Sequence, residues 1–233
     1  MEITPLGDSA LIVRVGQDSE DALGAVLAAQ RRLEGAQIPG VIDVTPAYTT
    51  VGLFYHPGRV VDSGAEPDAV FDWLATRIRQ ALSNSDEVSF GDVEARSIDV
   101  PVCFDSQFSL DLEEVARRAA IQSNEVIDLY CRADYRVNCI GFTPGFPFLS
   151  GLPKQLATPR RAAPRKKVPA GSVAIGGGQT GIYPIESPGG WNIIGRTPLH
   201  LLDPEKNPPA VFRAGDRVRF RSILREEFEG LKR

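Results

Sequence analysis

Between residues 141 and 209 the chain carries 11 glycines and 12 prolines, a third of the 69 positions there, against 17 of the other 164. Glycine weakens the interior of a regular element and proline withdraws an amide donor, so no long helix or central strand can run through such a stretch. What remains is a succession of short strands joined by tight turns. Many short strands must dispose of their edges, and closure into a barrel does so. Apolar or alternating runs at 135–142, 173–175, 181–185, 191–194, 199–202 and 217–220 supply the strands. In the last, Val218 and Phe220 alternate with Arg217, Arg219 and Arg221, the period of a half-buried strand. Ahead of them come a strand over 94–100, a helix from Asp111 with Glu114 at capping-box spacing, and a second helix from Ser123 to about Tyr130.

The first ninety residues follow another pattern. Residues 10–15 read as a strand, and Ser19 is placed to cap a helix with Glu20 and Asp21 in its first turn. Leu23, Val26, Leu27 and Leu33 give that helix one apolar face, ending at Gly35. Strands follow at 41–44 and 48–55, split by Thr45-Pro46-Ala47, and a helix starting near Pro67 carries Val70, Trp73, Leu74, Ile78 and Leu82 at helical spacing. Charge changes with the pattern: residues 1–92 hold 6 Lys+Arg against 14 Asp+Glu, residues 93–233 hold 20 against 16. Ser83-Asn84-Ser85-Asp86 and Gly91-Asp92 form a polar seam between the two. The expected fold class is α+β, with a small α+β domain at 1–90 and a mostly β barrel at 93–233.

Several chemistries are excluded by missing signatures. No G-x-x-x-x-G-K-[ST] loop, H-E-x-x-H helix or G-x-S-x-G elbow is present, and with two histidines, His56 and His200, a zinc site is not expected. Gly176-Gly177-Gly178-Gln179-Thr180-Gly181 has two readings, a tight barrel turn or a backbone nest for an anion. Three cysteines without CxxC spacing (Cys103, Cys131 and Cys139) read as free thiols in a reducing compartment. With neither a signal-like N-terminus nor a long apolar run, the expectation is a cytoplasmic protein without a membrane partner. A net charge of -4 argues against nucleic acid.

Within that acidic chain, Arg160-Arg161-Ala162-Ala163-Pro164-Arg165-Lys166-Lys167 packs five cations into eight residues. Pro159, Pro164 and Pro169 stiffen the segment, so its guanidinium forks are expected to be held in place for carboxylate or phosphate. Two further strings surround it. One is Gly141-Phe142-Thr143-Pro144-Gly145-Phe146-Pro147-Phe148-Leu149-Ser150-Gly151-Leu152. The other is Val168-Pro169-Ala170-Gly171-Ser172-Val173, followed by Gly178-Gln179-Thr180-Gly181-Ile182-Tyr183-Pro184, Ser187-Pro188-Gly189-Gly190-Trp191 and Gly195-Arg196-Thr197-Pro198. Polar groups among so many close-approach glycines describe a rigid surface rather than a plain core.

These strings closely resemble the family of 5-oxoprolinase B subunits, also called KipI or allophanate hydrolase subunit 1. The resemblance is dense from Asp134 to Asp203 and extends to Pro46-Ala47-Tyr48-Thr49-Thr50 and Gly215-Asp216-Arg217-Val218. It implies a cyclophilin-like barrel, a likeness of fold that carries no isomerase activity. It also implies a subunit, inactive alone, that works with a C subunit (KipA/PxpC-like) and an A subunit (PxpA-like). Together they open 5-oxoproline to glutamate, with ATP and its magnesium as co-substrate of the complex and no metal site in this chain. Phosphorylation of the lactam oxygen would make the leaving group, which calls for cations on phosphate and donors on a developing oxyanion. On that likeness Arg160 and Arg165 would supply the charge, Thr143, Gln179, Thr180 and Tyr183 would contact and orient the substrate, and Arg196 would pair with a carboxylate. Glu186, the one acid inside the dense motif, has an open role, and no catalytic base is assigned.

The chain also departs from the family pattern. It has Asp105-Ser106-Gln107-Phe108-Ser109-Leu110-Asp111-Leu112 where relatives usually have Gly-Gly-Glu-x-Gly-Pro-Asp-Leu, and Leu129-Tyr130 where they usually have Leu-His. Tyrosine cannot replace histidine as a proton carrier near neutral pH. If that histidine is catalytic the chain is a weakened member, and if it only packs nothing changes. The alternatives implied are a KipI-like inhibitor that binds a sensor histidine kinase and, third, a urea carboxylase-related subunit.

Overall fold

Glu2–Pro5 (β1) and Ala10–Arg14 (β2) pair antiparallel and join Val41–Ala47 (β3) and Thr50–Tyr55 (β4) in a four-stranded sheet ordered β1-β2-β4-β3. In this computed structural model, residues 1–15, 22–83 and 95–232 are described. Helix α1 (Ala22–Gly35) follows β2, and after β4 come the short α2 (Pro57–Asp62), a 3-10 turn at Pro67–Ala69 and α3 (Val70–Ser83). Leu11, Val13, Val51 and Leu53 alternate onto one sheet face and share a core with Val26 and Leu33 of α1 and Leu74 and Ile78 of α3. The expected break at Thr45-Pro46-Ala47 is absent, because β3 runs straight through it. The strand lies at the sheet edge, where the missing amide of Pro46 costs no ladder hydrogen bond. Two elements have no apolar period to announce them, β1 and α2; the latter is started by Pro57 and by the His56 ring, whose Nδ1 accepts from the Arg59 amide. The Ser19 cap and the polar seam from Asn84 to Glu94, the expected first residue of the next strand, lie outside the described residues.

The chain divides into two compact units, Met1–Glu94 and Ala95–Arg233. The second opens with Ser97–Cys103 (β5), then α4 (Leu112–Ala119), α5 (Ser123–Arg132), Tyr135–Ile140 (β6) and Pro147–Ser150 (β7). Arg165–Val168 (β8), Ser172–Gly176 (β9), Gln179–Ile182 (β10), Ser187–Gly189 (β11), Asn192–Arg196 (β12), Arg217–Ile223 (β13) and α6 (Arg225–Leu231) complete it. Seven strands close a barrel in the order β10-β7-β6-β13-β5-β12-β9, with β9 pairing back to β10 and β5 running parallel to β13. β8 and β11 form a separate two-stranded ribbon. Inward-facing Val100, Val137, Leu149, Val173, Ile175, Val218 and Phe220 share one core with Leu112, Val115, Val126 and Tyr130 from α4 and α5.

Of the two readings of the glycine run, the tight turn is what the structure contains. β9 and β10 are joined through Gly177 and Gly178, with Gly177 at φ +66° and its amide donating to the Thr158 carbonyl at 2.7 Å. The run at 199–202 is not a strand; only Leu202 makes an isolated bridge, to Ala210. Asp111 does stand before α4, yet its carboxylate makes no cap bond and is turned to other partners. No helix among the described residues is long and apolar enough to cross a membrane, and the three cysteines are free thiols.

Candidate functional site: an aromatic cleft beneath a basic strap

Three glycines on the outer surface of the barrel unit exist because rings lie on them. A Cβ at Gly176 would come within 2.5 Å of the Trp191 indole, one at Gly181 within 2.7 Å of the Phe146 ring, and one at Gly189 within 2.3 Å of the Tyr183 hydroxyl. Seated this way, the rings pack edge to face: Phe146 lies 5.2 Å from Tyr183 and 5.6 Å from Trp191 between centroids. Phe142 stands at the lip, 63% exposed, 5.5 Å from Phe146 and at φ +65°. A phenylalanine held in the left-handed region costs on the order of 1–3 kcal/mol, so packing around the lip must fix it there. The rings enclose a cleft of about 320 Å³ that Arg160, Arg161, Pro164 and Pro188 complete.

The strap from Pro159 to Arg165 is tied down by one buried carboxylate. Asp111 accepts from Arg161 Nη1 at 2.7 Å, from Arg165 Nη1 and Nη2 at 2.8 Å each, and from the Ile193 amide at 2.8 Å. Its side chain is only 4% exposed, so the pairing is desolvated and both carboxylate oxygens are filled. Asn192 Nδ2 donates to the Pro159 carbonyl at 2.9 Å, and the Arg161 amide to the Gly190 carbonyl at 2.7 Å. Between these anchors Arg160 has no carboxylate partner among the described residues, and its guanidinium sits 5.8 Å from the Trp191 ring. Burial pushes the Tyr183 phenol above its ordinary pKa, opposed by a hydrogen bond from the Trp191 backbone and by the charges of Arg160 and Arg165. The phenol therefore keeps its proton at neutral pH and can donate it in a hydrogen bond.

The residues singled out in the sequence do not all converge here. Arg160 and Tyr183 line the cleft. Thr143 adjoins it, its carbonyl accepting from the Phe146 amide and its hydroxyl buried with no partner among the described residues. Gln179 shares the outer face with Gly181 and pairs across the hairpin with Gly176. Thr180 faces the opposite way, into the barrel, where it is fully buried and donates to the Ala174 carbonyl at 2.9 Å. That bond uses its single proton, so the Tyr130 hydroxyl, 2.7 Å away, is the donor to Thr180. Tyr130 is a core residue: fully buried, ringed by Tyr135 and Phe220, and with a phenol that burial pushes well above its ordinary pKa. Arg165 is committed to Asp111. Glu186 is exposed and paired with Lys167 at 3.1 Å. Arg196 lies at the far end of β12, roughly 16 Å along the strand from Trp191, with Nε donating to the Ala170 carbonyl at 2.8 Å. Asp111, Phe142, Phe146 and Trp191 are site residues for which the sequence suggests no such role, although a glycine cross-strand from an aromatic is a signal that could find the last two. Among the described residues no group of three or more His, Cys, Asp or Glu could hold a metal ion.

A family model, the carboxyltransferase domain, subdomain C and D, matches residues 1–212. The chain is 40% identical to the B subunit of 5-oxoprolinase from Bacillus subtilis over 233 residues, which cover 99% of this chain and 96% of that protein. It is 46% identical over 150 residues to the B subunit of 5-oxoprolinase from Haemophilus influenzae, covering 64% of this chain and 69% of the relative. Among solved structures it is similar to TTHA0988, with a TM-score of 0.75 and 36% identity over 92% of this chain. It spans 40% of that longer polypeptide.

Proposed function

The chain belongs to the carboxyltransferase subdomain C and D family, and on that footing we propose that it is the B subunit of an ATP-dependent 5-oxoprolinase, a hydrolase complex that opens 5-oxoproline to glutamate. The observation that carries this reading is the 40% identity to the B subunit of a 5-oxoprolinase along nearly the whole of both chains. Its partners would be the C and A subunits, with ATP as the co-substrate of the complex, and the closed barrel would be of the cyclophilin-like type.

The cleft supports the reading chemically. A small cyclic amide with a carboxylate needs an apolar seat for its ring, a cation for its acid or for a phosphoryl group, and a neutral donor for its carbonyl oxygen. Phe146 and Trp191 offer the seat, Arg160 the cation and Tyr183 the donor. Asp111 would act as a positioning residue, holding the strap so that Arg160 is presented without losing entropy on binding. Arg165, Thr180, Glu186 and Arg196 have other engagements and are not assigned to the substrate.

The test is glutamate release from 5-oxoproline and ATP by the chain reconstituted with the A and C subunits of its own organism. Omission of the chain should abolish release. Arg160→Ala should raise KM for 5-oxoproline about tenfold or more while the complex still assembles, as expected for losing a charged hydrogen bond of roughly 1.5–3 kcal/mol. Unchanged kinetics in that variant would remove Arg160 from the site, and no glutamate from a well-formed complex would overturn the activity itself.

A further inference from the structure

β13 carries three outward arginines, and two of them have acids. Arg219 Nε lies 3.4 Å from Asp134, and Arg221 Nη2 lies 2.7 Å from Glu227. Arg217 has no ion pair among the described residues, and its directly opposed neighbour on β6 is another arginine, Arg136. Both side chains stand on the outer wall of the barrel, since Val218 and Val137 between them face inward. Opposed residues on antiparallel strands have Cβ atoms about 5 Å apart, and like charges in that position destabilise the pairing. Arg136 is only partly exposed, and its Nε is buried with no acceptor among the described residues.

The nearest acid in the sequence does not relieve the pair. Asp216 is buried and committed, accepting from Arg96 Nε at 3.0 Å and from the Arg213 amide at 2.8 Å. Along the same row Ser97 stands beside Arg217 on β5 and Ser150 beside Arg136 on β7. The Ser150 hydroxyl is directed to Asn138 Oδ1 at 3.1 Å, which leaves the two guanidinium groups as the charged donors of the row. Neither arginine lines the aromatic cleft.

We infer that Arg136 and Arg217 form an oxyanion-binding site, which takes one phosphate or carboxylate group across the two guanidiniums. An oxyanion there removes the cross-strand repulsion and matches the planar forks with parallel hydrogen bonds. Such a site stands whether or not the chain serves an oxoprolinase.

Thermal unfolding of the whole chain tests it, with sodium phosphate replacing sodium chloride at constant ionic strength, and poly-L-glutamate as a second arm. The wild type should show a saturable rise in Tm, roughly 3–6 °C at ten times the half-saturating concentration. Arg217→Ser, an exposed position, should have a higher Tm than wild type in chloride alone and lose the rise. Arg219→Ser, whose charge is already paired, should keep it. A rise with phosphate marks a site for a small anion. A rise with poly-L-glutamate alone marks one for carboxylates carried on another polypeptide. No rise in either arm, or an equal rise in Arg217→Ser, overturns the site.

Discussion

Tyr130 illustrates what one side chain can and cannot do once its surroundings are fixed. It packs against Tyr135 and Phe220 and gives its only proton to Thr180. In this chain Tyr130 therefore packs, since a phenol sealed from water does not carry protons. Tyr130→Phe should therefore lower stability by about 1 kcal/mol, the net value of one buried hydrogen bond, as read by urea unfolding. Activity of the reconstituted complex should stay within about twofold of wild type, too small a change to reflect a group lost from the chemistry. A second residue makes the opposite case. Gly176→Ala would place a methyl 2.5 Å from the Trp191 ring, so the indole must move out. The expected outcome is a red shift of tryptophan emission and weaker binding in the cleft, detected by fluorescence. Neither effect is legible in the sequence alone. Periodicity shows that Thr180 lies near a turn, but only closure of the barrel decides that it faces inward and Gly181 outward.

Elements explain why the strap is rigid. The sequence shows five cations among prolines and suggests that they are held, while the carboxylate that holds two of them, Arg161 and Arg165, lies about fifty residues away in Asp111. By sequence that residue reads as a helix cap, because it precedes α4 at the right spacing and a cap needs no distant partner. Two arginines and an amide from β12 outcompete the helix for its carboxylate. The ribbon of β8 and β11 escapes sequence reading for the same reason: Arg165-Lys166-Lys167-Val168 and Ser187-Pro188-Gly189 have no apolar alternation, and their order comes from the ion pairs and the ring beneath. Asp111→Ala leaves two guanidiniums and an amide without an acceptor. It should cost about 3–5 kcal/mol in a denaturant titration, within the range for breaking a buried ion pair. The strap is expected to loosen with it, so that limited proteolysis cuts near Arg160 and Arg161 faster than in wild type.

For the molecule as a whole, the change of composition near residue 90 and the glycine and proline density of the later part are enough to expect helices and strands with a barrel. Which strands are neighbours is not legible, because pairing between distant segments leaves no local trace. Buried tyrosines give the whole chain a shared pH response. Burial raises Tyr130, Tyr135 and Tyr183 in one unit and Tyr55 in the other above the ordinary phenol value of 10.0. Below that value both folded and unfolded chains keep these protons, and stability is flat. Above it the unfolded chain releases them while the folded one does not, so stability falls, by up to about 1.4 kcal/mol per pH unit for each fully buried phenol. Burial raises the Cys131 thiol in the same way, from 9.0 to about 11, so urea midpoints should agree at pH 7 and 8 and be lower at pH 11.

The parallel pairing of Ser97–Cys103 with Arg217–Ile223 sets an order of events during synthesis. The first strand of the barrel has its partner more than a hundred residues further on, so a ribosome must deliver nearly the entire unit before the wall can shut. Until then β5 and β6 each expose an edge that β13 will later occupy, and such edges invite pairing with other chains. A nascent chain of this kind depends on late closure, and a stall before residue 217 would leave it open to aggregation.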